Sequence, residues 1–319
     1  MYTVEQISNQ IIAGDRISIS RGISMIENEH PDSMFLLNKI FKNTGNGYRI
    51  GITGPPGAGK STLTNKLAAF YRRKNLKVGI IAVDPTSPFT GGAILGDRIR
   101  MTDVELDGNV FIRSMASRGS LGGLSKKTSE AVDILDAGGF QILIIETVGV
   151  GQSELDIAST ADTTIVVLVP ESGDSIQAMK AGLMEIGDIF VLNKSDRAGA
   201  DQAVMSIKTI LNLKQQIINW HPDVIQTIAS EGKGIEQLAE LIEKHKQFLI
   251  STGTLYQKRE QRLAIQIRNI IAEHLHIEFW DKERENILNT KLKAVIEKHL
   301  TPYELVEQLL KNYNSRDLK

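Results

Sequence analysis

Gly54-Pro55-Pro56-Gly57-Ala58-Gly59-Lys60-Ser61 forms a complete GxxxxGK[ST] phosphate loop. Glycines at this spacing let backbone N–H groups converge on a phosphate, and a helix opening at Ser61 adds the favourable end of its dipole. Lys60 is placed to reach the β- and γ-phosphates, and the Ser61 hydroxyl to ligate Mg2+. A second group of residues concerns the base. Asn193-Lys194-Ser195-Asp196 closes the apolar run 186–192 in the pattern NKxD. A carboxylate there accepts from both the N1–H and the exocyclic N2–H of guanine, and adenine offers no such pair of donors. Four residues alone are a weak motif. Downstream of a phosphate loop and at a strand end, they make GTP the preferred ligand.

Acidic residues follow two further apolar runs. Asp84 comes after 77–83 and Glu146 after 140–145, so both fall at carboxyl ends of strands beside the phosphate loop, where a metal shell would form. Glu146-Thr147-Val148-Gly149 also reads as a γ-phosphate sensor with the Gly149 N–H as donor. Many GTPases place a water-orienting Gln directly after that glycine. Here Val150 follows, and Gln152 lies two residues further on, which predicts a weak intrinsic hydrolase completed by another residue or a partner. Two loops have the composition of switches. The stretch 84–101 contains Gly91-Gly92 and Gly96-Asp97, and Pro170-Glu171-Ser172-Gly173-Asp174 leads into a helix carrying Gln177 and Lys180.

The elements that must position these groups are legible as periodicity. Apolar runs at 48–53, 77–83, 110–113, 140–146, 163–169 and 186–192 lack alternation, as parallel strands covered on both faces do. Helical patterns at 61–74, 125–137, 175–183 and 201–213 separate several of them. That rhythm predicts a doubly wound, mostly parallel α/β fold of the P-loop NTPase type. Before it, Val4, Ile7, Ile11 and Ile12, then Ile19, Ile23 and Ile26, repeat at helical spacing, and Asp32 is placed as N-cap of a helix over 32–43 that stops at Gly45. Beyond residue 252 the strands cease. Leu263, Ile267, Ile270 and Ile271 make one stripe, a second helix runs through Leu288, Leu292, Val295 and Ile296, and Thr301-Pro302-Tyr303-Glu304 is a capping box with Pro at the first helical position. The expected organisation is an N-terminal helical segment 1–46, a nucleotide domain 47–252 and a C-terminal helical segment 253–319.

Composition narrows the function. With 37 Lys and Arg against 38 Asp and Glu, the formal charge of −1 argues against a phosphate-backbone binder of nucleic acid. An apolar fraction of 41% suits a folded globular chain, and no run is long enough to span a membrane. Cysteine is absent, which excludes disulfides, thiolate zinc sites and cysteine nucleophiles. His274 and His276, two apart on a helix, point to different faces and read as surface residues. The N-terminus lacks the apolar core of a signal peptide, so a cytoplasmic location is expected.

The stretches IAVDPTSPFTGGAILGDRIRM, SRGSLGGLSKKT, ETVGVGQSE and GDSIQAMKAGLMEIGD, with the phosphate loop and NKSD, resemble the MeaB/ArgK/MMAA family of SIMIBI-class G proteins. The likeness extends to IIAGDRISISRGISMIE and covers the chain from about residue 10 into the C-terminal helices. It implies a GTPase chaperone of an adenosylcobalamin-dependent methylmalonyl-CoA mutase, homodimeric through its C-terminal helices and binding no cobalamin itself. By motif match, Lys60, Ser61 and Thr62 bind phosphates and Mg2+, and Asp84, Asp97 and Glu146 belong to the metal and attacking-water shell. Gln152 falls in the second switch, and Asp174, Gln177 and Lys180 in a third that engages the mutase. The base-contacting loop departs from the usual TSALEG: this chain has Thr227-Ile228-Ala229-Ser230-Glu231-Gly232, with Ala229 and Ser230 in the contact positions. Glu171 stands where the family has a small residue. Two other classes compete: a metabolite or transport-system kinase, for which no acceptor pocket or base is identifiable, and a metal-insertion GTPase, which the missing Cys/His ligands disfavour.

Overall fold

Unbroken apolar runs become the strands of one parallel sheet. The computed structural model describes residues 2–85, 103–104, 106–117, 123–147, 153–172, 182–213 and 220–314. The strands are β1 (Tyr48–Thr53), β2 (Val78–Pro85), β3 (Val110–Ser117), β4 (Ile142–Thr147), β5 (Thr163–Leu168), β6 (Ile189–Asn193) and β7 (Val224–Thr227). They lie in the order β3-β2-β4-β1-β5-β6-β7, and every pairing is parallel. The chain leaves β1 in one direction to build β2, β3 and β4, then crosses to its other side for β5, β6 and β7. β1 is therefore the topological switch point, where loops at the carboxyl ends open a crevice.

Helices cover both faces. On one, α4 (Lys60–Arg73) and a later helix over Ile235–Ser251 bury Leu63, Leu67, Leu238 and Ile242 against Ile50, Ile52, Ile144, Ile165 and Val191. On the other, α1 (Val4–Ile12), α2 (Arg16–Glu27), α3 (Ser33–Ile40) and α5 (Gly123–Ala137) pack Ile11, Ile19, Ile23, Leu36 and Leu135 onto Ile81, Leu143 and Ile145. The N-terminal helices are thus part of the sheet's own core. The β5–β6 end is covered by α7 (Leu183–Ile186) and α8 (Ala200–Leu213), through Leu183, Met184, Ala203 and Ile207. Between α5 and these lies α6 (Ser153–Thr160), and the Ile235–Ser251 helix is α9.

Three findings adjust the sequence reading. Asp32 precedes α3 but its side chain makes no capping hydrogen bond; its own N–H donates to His30 Nδ1 at 3.2 Å. Residues 186–188 are not strand. Ile186 ends α7, and Asp188 instead serves the start of β5: its N–H donates to Thr164 O and its carboxylate accepts from Thr164 N, at 2.9 and 2.8 Å. Three elements, α6, β7 and α9, add to those expected. The helix anticipated over 175–183 lies largely outside the described residues.

Two compact units divide the chain, Met1–Arg262 and Leu263–Lys319. The first includes the opening turns of α10 (Thr254–Phe279), whose Arg259 and Arg262 hold the fully buried Asp162 at 2.9 and 2.7 Å. Asp162 also accepts from Arg49 N at 3.0 Å, so this pair of arginines ties α10 to the amino ends of β1 and β5, opposite the crevice. The second unit holds the remainder of α10 with α11 (Lys282–Ile296) and α12 (Pro302–Asn314). The capping box at α12 forms as expected, Thr301 N to Glu304 Oε2 at 2.8 Å and Glu304 N to Thr301 Oγ1 at 3.2 Å. Leu263, Ile267 and Ile271 stay exposed along α10. His274 and His276 are exposed as expected. No helix among the described residues is long and apolar enough to cross a membrane.

Candidate functional site

The phosphate loop is shaped by glycines that no other residue could replace. Gly54 leaves β1 at φ +133°, and a Cβ there would lie 2.1 Å from Val167 O of the neighbouring strand. Gly59 adopts φ +90°, and its Cβ would lie 2.3 Å from Asn193 Nδ2. Left-handed backbone and contact with two neighbours thus exclude side chains at both ends of the loop. α4 begins directly after, at Lys60. The Lys60 ammonium folds over the loop and donates to Gly54 O at 2.7 Å and Pro55 O at 2.9 Å. Ala58 is buried, whereas Pro56 and Gly57 face outward.

Strand register brings the acidic groups to this loop. Glu146 pairs with Ile52 of β1 and Ala82 of β2, so it stands level with the last turn of backbone before Gly54. Ser61 Oγ donates to Glu146 Oε1 at 2.6 Å, both side chains buried. Asp84 lies two residues beyond the Ala82 that pairs with Glu146, at the carboxyl end of the adjacent strand; its side chain is outside the described residues. The next residue of β4 faces the other way: Thr147 Oγ1 donates to Thr53 Oγ1 at 3.0 Å beneath the loop. Ser61 and Glu146 give a pair of hard oxygen donors at the mouth of α4, the donor set that Mg2+ prefers.

Asn193 joins the second motif to the first. From the end of β6 its Nδ2 donates to Ala58 O at 2.8 Å, and its Oδ1 accepts from Thr227 Oγ1 and Ala229 N, each at 3.0 Å. Lys194, at φ +57°, donates from Nζ to Gly57 O at 2.8 Å. One amide and one ammonium therefore register the phosphate loop against the 193–196 turn and the turn after β7. Asp196 and Ser230 are exposed beside them, and Ala229 is buried.

Gly54 to Thr62, Glu146, Asn193, Lys194, Asp196, Ala229 and Ser230 thus all lie at the carboxyl ends of strands or in the loops and first helical turns that follow them. Gly91, Gly92, Asp97, Gly149, Gln152, Asp174, Gln177 and Lys180 lie outside the described residues. Thr147 and Thr227 fall inside the ETVG and TIASEG stretches without an assigned role of their own, and Thr53 is read only as the end of its strand. Single hydroxyls carry no pattern of their own, and only parallel register sets Thr53 beside Thr147.

A family model described as methylmalonyl-CoA mutase-associated GTPase MeaB matches residues 19–284. The chain belongs to the MeaB family. A protein of Pyrococcus horikoshii named as a GTPase is 47% identical, covering 99% of this chain and 100% of its own. The methylmalonic aciduria type A homolog of Mus musculus, described as mitochondrial, is 31% identical over 98% of this chain and 80% of its own. Among solved structures, one described as a LAO/AO transport system kinase superposes with a TM-score of 0.74 at 29% identity, covering 98% of both chains. The chain is accordingly a GTPase with a P-loop fold.

Proposed function

We propose that this GTPase is a chaperone of an adenosylcobalamin-dependent acyl-CoA mutase, methylmalonyl-CoA mutase or a related enzyme, gating cofactor loading and protecting or reactivating its partner. The match to a mutase-associated GTPase model over residues 19–284 carries this reading. Gly54 to Thr62 would cradle the phosphates, with Lys60 on the β- and γ-oxygens. Ser61 with Asp84, Asp97 and Glu146 would hold Mg2+, and the 2.6 Å Ser61–Glu146 contact supports two of those positions. The bound metal would neutralise charge developing between the β- and γ-phosphates. Asp196 would accept from guanine, with Ala229 and Ser230 flanking the base, and the Gly149 N–H would sense the γ-phosphate.

Turnover would be slow alone, because no Gln follows Gly149 directly, and faster when a partner engages Asp174, Gln177 and Lys180, with Gln152 in the second switch. Three segments, 1–46, 47–252 and 253–319, would divide these tasks. The last would form a homodimer, a role supported by the exposed Leu263, Ile267 and Ile271 along α10. A cytoplasmic location, with no cobalamin, nucleic acid or membrane bound by this chain, completes the reading. A kinase acting on a small metabolite is the second reading, prompted by the likeness to the 29% identical transport system kinase. GTP hydrolysis by the purified protein, alone and with the mutase, with ATP as control, separates the two. Slow GTP-selective turnover that rises with the mutase supports the chaperone; ATP preference with an acceptor-dependent phosphoproduct would establish the kinase.

A further inference from the structure

Residues 193–197 are gripped from three directions. Asn193 and Lys194 donate to the phosphate-loop carbonyls of Ala58 and Gly57, each at 2.8 Å. Ser195 donates from both N and Oγ to Thr227 O at the end of β7, each at 3.1 Å. The third grip is an ion pair, Arg197 Nη1 with Glu171 Oε1. The first two grips connect parts of the nucleotide cradle to one another. The third reaches outside it, to the single helical turn Pro170–Ser172 that follows β5 and leads into residues 173–181.

The turn needs such a restraint. Lys194 sits at φ +57°, a left-handed conformation that costs a non-glycine residue free energy and persists only where neighbours impose it. Arg197 N donates to Lys194 O at 3.1 Å and closes the turn, so the guanidinium is anchored one bond from the strained residue. Asp196 lies between the two. The Arg197 hydrogen bond holds the Glu171 carboxyl below its ordinary value. Both side chains are about half exposed, so the pair can be opened by solvent ions or by a partner's charges without unfolding anything.

We propose that Glu171 and Arg197 form a positioning latch that holds the 194–197 turn in its base-reading shape and slows release of guanine nucleotide. The inference rests on the reading of Asp196 as guanine acceptor. An opposing charge that draws Glu171 away from Arg197 would release the turn.

Release of N-methylanthraniloyl-GDP, chased with unlabelled GDP, tests it in the full-length chain. Glu171→Gln and Arg197→Gln should each speed release about 2- to 5-fold, the range of an exposed ion pair. The double variant should be no faster than either single, and the swap Glu171→Arg with Arg197→Glu should recover much of the loss. Raising salt should narrow the gap between the wild type and the variants, whatever it does to release from all of them. Accelerations that add in the double variant, or rates indifferent to all these changes while GDP is still preferred over ADP, would overturn the latch alone. A wild type without preference for GDP over ADP would overturn the base reading and the latch with it.

Discussion

Asn193 is the side chain on which the two halves of the nucleotide cradle depend most directly, and replacing it by alanine should show how much. The amide makes three hydrogen bonds, to Ala58 O, Thr227 Oγ1 and Ala229 N, and is buried. At about 1 kcal/mol net for each, with the backbone groups of Ala58 and Ala229 left without their partner, the loss is about 3 kcal/mol. For a unit of this size that lowers the melting temperature by roughly 6–12 °C. Nucleotide binding should suffer as well, because the ligand must then order two loops that Asn193 held in register. The Kd for GDP is expected to rise between about ten- and a hundredfold. Asn193→Asp is the sharper variant. It keeps an acceptor for Thr227 and Ala229 but turns a carboxylate oxygen towards Ala58 O, so a nearly isosteric change should be as damaging as alanine. Melting within about 2 °C of wild type and an unchanged Kd for GDP in Asn193→Ala would refute the bridging role.

If Lys60 acts on developing phosphate charge as proposed, Lys60→Ala should lower GTP turnover by about 100-fold or more while the chain keeps a cooperative melt by circular dichroism. Arg262→Ala should lower stability by about 3 kcal/mol, because Arg259 alone must then compensate a carboxylate with no solvent exposure. Burial alone would raise the Asp162 pKa, but Arg262 and Arg259 outweigh it and hold the carboxyl below its ordinary 3.8. The stability it contributes is therefore present above that value and lost as pH falls through the folded one; acid unfolding of Arg262→Ala should begin at higher pH than in wild type. His245 behaves as a buried base: desolvation pushes it down to about 4, and it stays neutral against Thr163 Oγ1 at 2.8 Å. Between its ordinary 6.5 and that value only the unfolded chain takes up the proton, so stability falls as pH drops across the interval, by roughly 3 kcal/mol at most. His245→Gln should flatten that slope in urea midpoints measured from pH 7 to 4.

Residue order suffices for the strands beside the candidate site and for the GxxxxGK[ST] loop. Gly54 to Ser61 is contiguous, and its shape is set by local backbone geometry at Gly54 and Gly59, so spacing along the chain was enough. The six apolar runs were legible for the same reason: β-strands buried on both faces must be apolar throughout. α9 was open to the same kind of reading, since Ile235, Leu238, Ala239 and Ile242 recur at helical spacing. β7 was not, with four residues of which only Val224 and Thr227 are buried. What these pieces touch emerges only in the closed fold. Glu146 meets Ser61 across 85 residues of chain and Asn193 meets Ala58 across 135, and no periodicity encodes such distances. Thr53 and Thr147 become partners only because β1 and β4 run parallel in one register. The burial of Asp162 beneath two arginines of α10 likewise had no signature in a stretch where charges look solvated. Local conformational preference is written in neighbouring residues, whereas pairing of buried polar groups is settled when the chain closes and each donor must find an acceptor in place of water.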